Sequence, residues 1–122
     1  MLRLLSLALI LAGMTPALAA APPYEGLWSS SAAGCSDRDG PNNTISIRSD
    51  RYDGYELHCR IRGADRSVDG WRLRLTCEAE GERLRANALL TMVQSGVLMV
   101  EQSLEGVSAP TRSRLVRCKA AR

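Results

Sequence analysis

Two stretches of the sequence, YELHCRIR at residues 55–62 and WRLRLTCEAE at residues 71–80, decide the fold. In each stretch, apolar and polar residues alternate strictly, which is the pattern of a β-strand with one buried face and one solvated face. The segment between them, residues 63–70, is polar and begins and ends with glycine, which predicts a turn. The two stretches therefore predict an antiparallel hairpin, and Cys59 and Cys77 both fall on its buried face.

The four cysteines, Cys35, Cys59, Cys77 and Cys118, allow three disulfide connectivities. No two of them form a C-x-x-C pair, which weighs against a zinc site and against a thioredoxin-like redox centre. Pairing Cys59 with Cys77 places the midpoint of the hairpin at Val68, inside the polar turn. We therefore predict this bridge, and the remaining pair, Cys35–Cys118, then ties the two ends of the fold together.

The rest of the chain also has the pattern of short strands. Residues 50–54 contain Asp53-Gly54 and predict a tight turn. Residues 82–94 alternate like a strand at their start but also place apolar residues at helical spacing, and we favour the strand. We expect about seven strands in an all-β antiparallel meander that forms a small barrel or sandwich. The expected strands are residues 24–30, 44–48, 55–62, 71–79, 82–94, 97–102 and 111–119.

The first 19 residues are typical of a signal peptide. Arg3 supplies the positive start, Leu4 to Gly13 form a short apolar region, and Ala17-Leu18-Ala19 fits the cleavage pattern. The apolar region is shorter than the roughly 18–20 residues that a spanning helix needs. We therefore expect cleavage after Ala19, no membrane span, and a single exported β domain at residues 20–122, in the oxidising compartment that disulfides require.

Composition and charge indicate the compartment and exclude some classes of partner. All but one of the 16 basic residues are arginine, which is typical of GC-rich bacterial coding, so the expected location is periplasmic or secreted. The chain is 45% hydrophobic and 24% charged, as folded domains are. The net charge of +3 falls to +2 if Arg3 is removed, which is too small to indicate nucleic acid or a polybasic membrane surface as the partner.

Gly26-Leu27-Trp28 lies on the first expected strand and Arg117 lies near the end of the last. This pattern resembles the lipocalin-like (calycin) barrels, and it is similar to the small disulfide-stapled barrels that bacteria secrete to inhibit proteases or lysozymes. The resemblance implies that Trp28 plugs one end of the barrel and that Arg117, or its neighbour Arg114, packs across it. It implies either a hydrolase-inhibitor-like or other protein-binding module or, alternatively, a carrier of a small ligand. About seven strands predict a mostly filled interior, because eight enclose one small ligand at most.

Six arginines share the expected outer face of three consecutive strands and are the candidate partner-binding residues. Arginine pairs well with carboxylates and phosphates, so this face would suit an anionic or acidic macromolecular partner. No aromatic residues interleave with them, which disfavours single-stranded nucleic acid. In the expected register Arg62 stands opposite Arg74, an arrangement that folding alone would not select. The alternative is a solvated, charged surface. The six residues are Arg60, Arg62, Arg72, Arg74, Arg83 and Arg85.

The remaining polar residues indicate surface positions rather than catalysis. His58, the single histidine, faces away from the core with Glu56 as its obvious neighbour, so no nucleophile stands beside it. Glu78, Glu80 and Glu82 recur at every second position, typical of a solvated strand face. Residues 37–43 carry aspartates and asparagines but lack the later glutamate of a calcium loop, so we expect a turn. We therefore expect a monomeric, non-enzymatic protein with no cofactor and no metal.

Overall fold

A computed structural model describes residues 12–13, 20–36 and 44–119, and in this part of the chain eight antiparallel strands form a closed barrel in sequence order. A short 3-10 helix, Ala33–Ser36, follows the first strand. None of the described helical segments has the length and apolarity to cross a membrane. The strands are β1 Gly26–Ser29, β2 Ile45–Arg48, β3 Arg51–Gly54, β4 Leu57–Arg66, β5 Gly70–Ala79, β6 Glu82–Gln94, β7 Val97–Leu104 and β8 Thr111–Arg117.

The all-β prediction is confirmed, with one strand more than expected. The predicted turn at residues 50–54 is wrong, because Arg51–Gly54 is strand β3 and the chain turns at Tyr55 and Glu56 instead. The physical reason is Tyr52, whose side chain is fully buried in the barrel and draws this short segment into the sheet. Tyr55, expected on the core face, lies in the turn and is half exposed.

The predicted hairpin is present as β4 and β5, but it is longer than expected and contains a β-bulge. Cys59 pairs with Cys77 as expected, and the turn is confined to residues 67–69 with Val68 almost completely exposed at its tip. The register then shifts between Ile61 and Gly63, so that Gly63 lies opposite Arg74. The expected pairing of Arg62 with Arg74 is therefore wrong, because a bulge adds one unpaired residue to one strand and moves every later pair by one.

Residues 82–94 form strand β6, as favoured, and this 13-residue strand pairs along most of its length with both neighbours. Side chains fill the barrel, and Tyr52 Oη donates a hydrogen bond to Gln102 Oε1 at 2.9 Å. Burial of Tyr52 raises the pKa of its hydroxyl far above the usual range. The largest fully buried side chains are Trp28, Tyr52, Ile47, Leu73, Leu90, Leu98 and Leu115.

Both predicted disulfides are confirmed. Cys59–Cys77 joins neighbouring strands inside the barrel, where both residues are fully buried. Cys35–Cys118 joins the 3-10 helix to the end of β8 across 83 residues of sequence. Two disulfides in a barrel of this size are consistent with an exported protein. Most of the expected signal peptide, and residues 37–43, where we expect a turn rather than a calcium loop, lie outside the described residues.

Candidate functional site

The six arginines of the expected partner-binding face are all exposed on the outside of the barrel. They do not form one uniform patch, because some have acidic partners. Arg74 Nε lies 3.4 Å from Asp65 Oδ2, and Arg83 Nη2 lies 3.8 Å from Glu78 Oε1. Exposed ion pairs of this kind contribute little to stability but do reduce the local charge. The six lie in pairs on adjacent strands: Arg60 and Arg62 on β4, Arg72 and Arg74 on β5, Arg83 and Arg85 on β6.

The register of the barrel adds two arginines that the sequence analysis did not include. Arg48 of β2 lies opposite Arg51 of β3, and Arg51 lies opposite Arg60 of β4. Thr76 of β5 then stands between Arg60 and Arg85 of β6. These four arginines form a line across five strands, which we call the arginine row. Because neighbouring strands are ~4.8 Å apart, the row extends over roughly 19 Å.

The arginine row places like charges directly opposite one another on neighbouring strands. Like charges directly opposite each other across strands are unfavourable, and Arg51 faces an arginine on each side. Arg51 Nη2 donates to Asp53 Oδ1 at 2.8 Å, and this hydrogen bond raises the pKa of the guanidinium. Among the residues that the structure describes, no carboxylate lies within 4 Å of the guanidinium groups of Arg48, Arg60 or Arg85.

A shallow basin lies beside the arginine row. Arg62, Arg74 and Arg85 line this open depression of about 330 Å³ on the outer face of β4, β5 and β6. Arg62 is the extra residue of the bulge, and its Nη1 donates to Thr76 Oγ1 at 3.4 Å. This hydrogen bond holds the Arg62 guanidinium next to the arginine row. The surface therefore offers several guanidinium groups, each able to bind a carboxylate or phosphate through two hydrogen bonds.

The surroundings of His58 do not form a catalytic arrangement. His58 Nδ1 lies 3.2 Å from Asp53 Oδ1, so its acidic partner is Asp53 rather than the expected Glu56. Ser46 is paired with Asp53 on the other side, so the outward order across the three strands is serine, aspartate, histidine. A nucleophilic serine needs the imidazole beside its hydroxyl, and here the carboxylate separates the two.

The expected acidic group gathers at one end of the barrel. Glu78 and Glu82 lie on neighbouring strands, Glu80 lies in the turn between them, and together with Glu56 they border an open depression of about 520 Å³. All four are exposed, as expected of solvated carboxylates. Across residues 12–13, 20–36 and 44–119, no group of three or more His, Cys, Asp or Glu side chains is placed to hold a metal ion.

Trp28 and Arg117 meet in the structure. The indole is fully buried, and Trp28 Nε1 donates to the carbonyl oxygen of Tyr24 at 2.8 Å. The guanidinium carbon of Arg117 lies 4.3 Å from the centre of the indole ring. Arg117 also donates to the carbonyl oxygens of Pro23 at 2.6 Å and Glu25 at 2.8 Å, so it fastens the segment before β1 over the tryptophan.

Gly26 makes this contact possible. Its φ of 144° is a conformation that side chains disfavour, and a Cβ there would lie 2.5 Å from Arg117 Nη1. Arg114, the other arginine considered for this role, is exposed on β8 opposite Met99. The residues that carry the resemblance are therefore in contact with one another, with Arg117 rather than Arg114 over the ring. No protein-family model, curated protein or solved structure matches this chain.

Proposed function

We propose that this chain is an exported, non-enzymatic binding protein that recognises an anionic macromolecular partner through the arginine row and the adjacent Arg62 and Arg74. The observation that carries the proposal is the direct opposition of Arg51 to Arg48 and Arg60. Arg51 already pairs with Asp53, but among the described residues Arg48 and Arg60 have no carboxylate within 4 Å, and carboxylates of a bound partner would supply one. The periplasm of a bacterium is the compartment that we favour.

The distribution of the other charges supports a protein partner over a membrane. A flat anionic surface would meet the acidic end of the barrel, with Glu56, Glu80 and Glu82, at the same time as the arginines. A protein with an acidic cleft, such as an inhibited hydrolase, can contact the row alone. Nucleic acid is disfavoured because Trp28, Tyr24 and Tyr52 are buried and offer no stacking surface beside the row.

The interior of the barrel supports binding at the surface over transport of a small ligand. Fully buried side chains and the Cys59–Cys77 bridge occupy the space that a carrier would leave for its ligand. The two depressions described above are open and lie on the outer surface. A carrier needs a largely enclosed apolar pocket that covers most of its ligand. The order Ser46, Asp53, His58 likewise supports a role without catalysis.

The test uses poly-L-glutamate as the probe, with affinity measured at several salt concentrations. Replacing Arg60 and Arg85 with serine should weaken binding about threefold to tenfold and reduce its salt dependence, because fewer charges are neutralised in the complex. The matched control replaces Arg114 and Lys119 with serine, which removes the same charge from another part of the surface; like Arg60 and Arg85, neither has a carboxylate within 4 Å among the described residues. Equal affinity and an equal salt slope for the Arg60→Ser/Arg85→Ser variant and the unaltered protein would contradict the proposal.

A further inference from the structure

The second half of β4 has an open edge. Strand β3 has four residues and β4 has ten, so β3 pairs with β4 only as far as Arg60. The last hydrogen bond between β4 and the β3 side runs from the Ile61 N–H to the carbonyl oxygen of Asp50, which directly precedes β3, at 2.7 Å. Within the part of the chain that the structure describes, no strand pairs with Arg62–Arg66 on this side. We call these five residues the open edge.

The register shows which backbone groups the open edge presents. The Ser67 N–H donates to the Gly70 carbonyl oxygen at 2.8 Å, and hydrogen bonds in an antiparallel pair recur at every second residue. Asp65 and Gly63 therefore bond to β5, whereas the N–H and C=O groups of Ala64 and Arg66 point away from it. Unpaired groups of this kind can bond to another extended chain.

The charges around the open edge are mainly positive. Arg62 lies at its start and Arg66 at its end, where the Arg66 guanidinium carbon is 4.7 Å from the centre of the Trp71 ring. The edge also carries Asp65, but Arg74 reaches across Gly63 to pair with this carboxylate. A side chain at position 63 would occupy the space of that guanidinium, so the glycine allows the neutralisation.

The turn between β2 and β3 continues this positive region. Arg48 and Arg51 of the arginine row flank the turn, and Asp50 lies within it, beside the last hydrogen bond to β4. A strand added to the open edge would continue the line of β3 away from Asp50. It would begin next to the arginine row and end next to Arg66.

We propose that the partner binds by adding an extended acidic peptide segment to the open edge of β4 as a further strand. This inference rests on the proposed function and specifies its ligand as a polypeptide in extended conformation. The backbone of Ala64 and Arg66 supplies the hydrogen bonds, in the manner of β-strand addition. Because side chains alternate along a strand, acidic residues at every second position meet Arg62 and the arginine row on the outer face.

The competing explanation is that the open edge is only a protected one. A bulge and charged residues are the devices by which sheets avoid pairing with other chains, and Arg62–Arg66 contains both. The two explanations differ in one respect. A protected edge leaves the amides of Ala64 and Arg66 exposed to solvent under all conditions, whereas a docking edge buries them when an acidic strand binds.

The experiment uses the whole exported chain and a fluorescein-labelled octapeptide of alternating glutamate and valine. Ala64→Pro removes one outward N–H and leaves the bonds of Gly63 and Asp65 to β5 in place, since proline is tolerated on edge strands. We expect it to weaken peptide binding at least tenfold in fluorescence anisotropy. The control Ala64→Thr keeps the N–H and should bind as the unaltered protein does.

A second measurement does not depend on the folding of the proline variant. An octapeptide N-methylated at alternate residues should lose binding at least tenfold, and the plain peptide should slow hydrogen exchange at the Ala64 and Arg66 amides. Equal binding of both peptides, with Arg60→Ser/Arg85→Ser weakening each, would overturn strand addition and leave the proposed function standing. Unchanged binding in that arginine variant would count against the proposed function itself. Dimerisation that Ala64→Pro abolishes would overturn the acidic peptide in favour of a second copy.

Discussion

Replacing Trp28 with alanine tests the end of the barrel that Trp28 and Arg117 close. The indole is fully buried, so its loss removes a large core side chain and leaves a cavity, which costs about 3–5 kcal/mol in comparable cores. The carbonyl oxygen of Tyr24 loses its donor and Arg117 loses the ring beneath its guanidinium. Small domains have about 5–15 kcal/mol of total stability, so the variant should retain little.

Urea unfolding followed by far-ultraviolet circular dichroism gives the free energy of unfolding. The slope of this free energy against urea concentration should be the same for the variant and the unaltered protein. If Trp28→Ala does not fold, Trp28→Phe keeps a buried ring and loses only part of the packing and the hydrogen bond to Tyr24. It should cost about 1–2 kcal/mol. A loss under about 1 kcal/mol for Trp28→Ala would show that the indole does not support the core and would refute the reasoning.

A double-mutant cycle separates the ring contact from the other bonds of Arg117. Arg117→Met removes the stacking on Trp28 together with the hydrogen bonds to Pro23 and Glu25. Combined with Trp28→Leu, which keeps an apolar side chain but removes the aromatic ring, it should reveal a coupling of about 0.5–1 kcal/mol, the size of an exposed cation–π contact. Additive losses would mean that Arg117 acts only through the two carbonyl oxygens.

Three further predictions concern bridges, pH and the hairpin tip. Replacing both cysteines of Cys35–Cys118 with serine should lower the free energy of unfolding, measured in urea, by about 4–5 kcal/mol. This exceeds the roughly 3 kcal/mol of loop entropy at Cys59–Cys77, because Cys35–Cys118 closes the longer loop. A loss below about 3 kcal/mol would contradict this prediction. The raised pKa of Tyr52 keeps its hydroxyl neutral in the folded state, so its contribution to the free energy of unfolding is full below about pH 10. Above about pH 10 this contribution is lost, by at most about 1.4 kcal/mol per pH unit. In a plot of unfolding free energy against pH, Tyr52→Phe should therefore decline less above about pH 10 than the unaltered protein. Val68→Asp should change stability by less than about 0.5 kcal/mol in the same assay, since the side chain is 99% exposed.

The sequence was sufficient to predict that β4 and β5 form a hairpin in which Cys59 pairs with Cys77, and to predict both disulfides. Alternation with a period of two assigns every residue of a strand to a face, so it places Cys59 and Cys77 together on the buried face. A local signal of this kind depends only on neighbouring residues. The same logic placed Val68 at the turn, where it lies.

The errors arose where pairing depends on residues distant in sequence. Strand β3 is four residues long, too short for alternation to distinguish it from a turn, and Tyr52 joins the sheet because the barrel interior accommodates its ring. The bulge after Ile61 has no sequence signature beyond Gly63. The inclusion of Arg48 and Arg51 in the arginine row follows from the register of β3 with β2 and β4, so alternation could not have found it.

The seam between β1 and β8 has a consequence for how fast the chain folds. Every other strand pairs with its neighbour in sequence, through hairpins and one longer connection, whereas β1 meets β8 through contacts such as Arg117 with Glu25, 92 residues apart. Contacts between the ends of a chain form slowly, because a long loop must close first. The Cys35–Cys118 bridge crosses this seam. Once this disulfide has formed, the pairing of β1 with β8 no longer requires closure of a long loop. In the reduced chain, β1 and β8 should therefore pair after the other strands, and more slowly than in the oxidised chain.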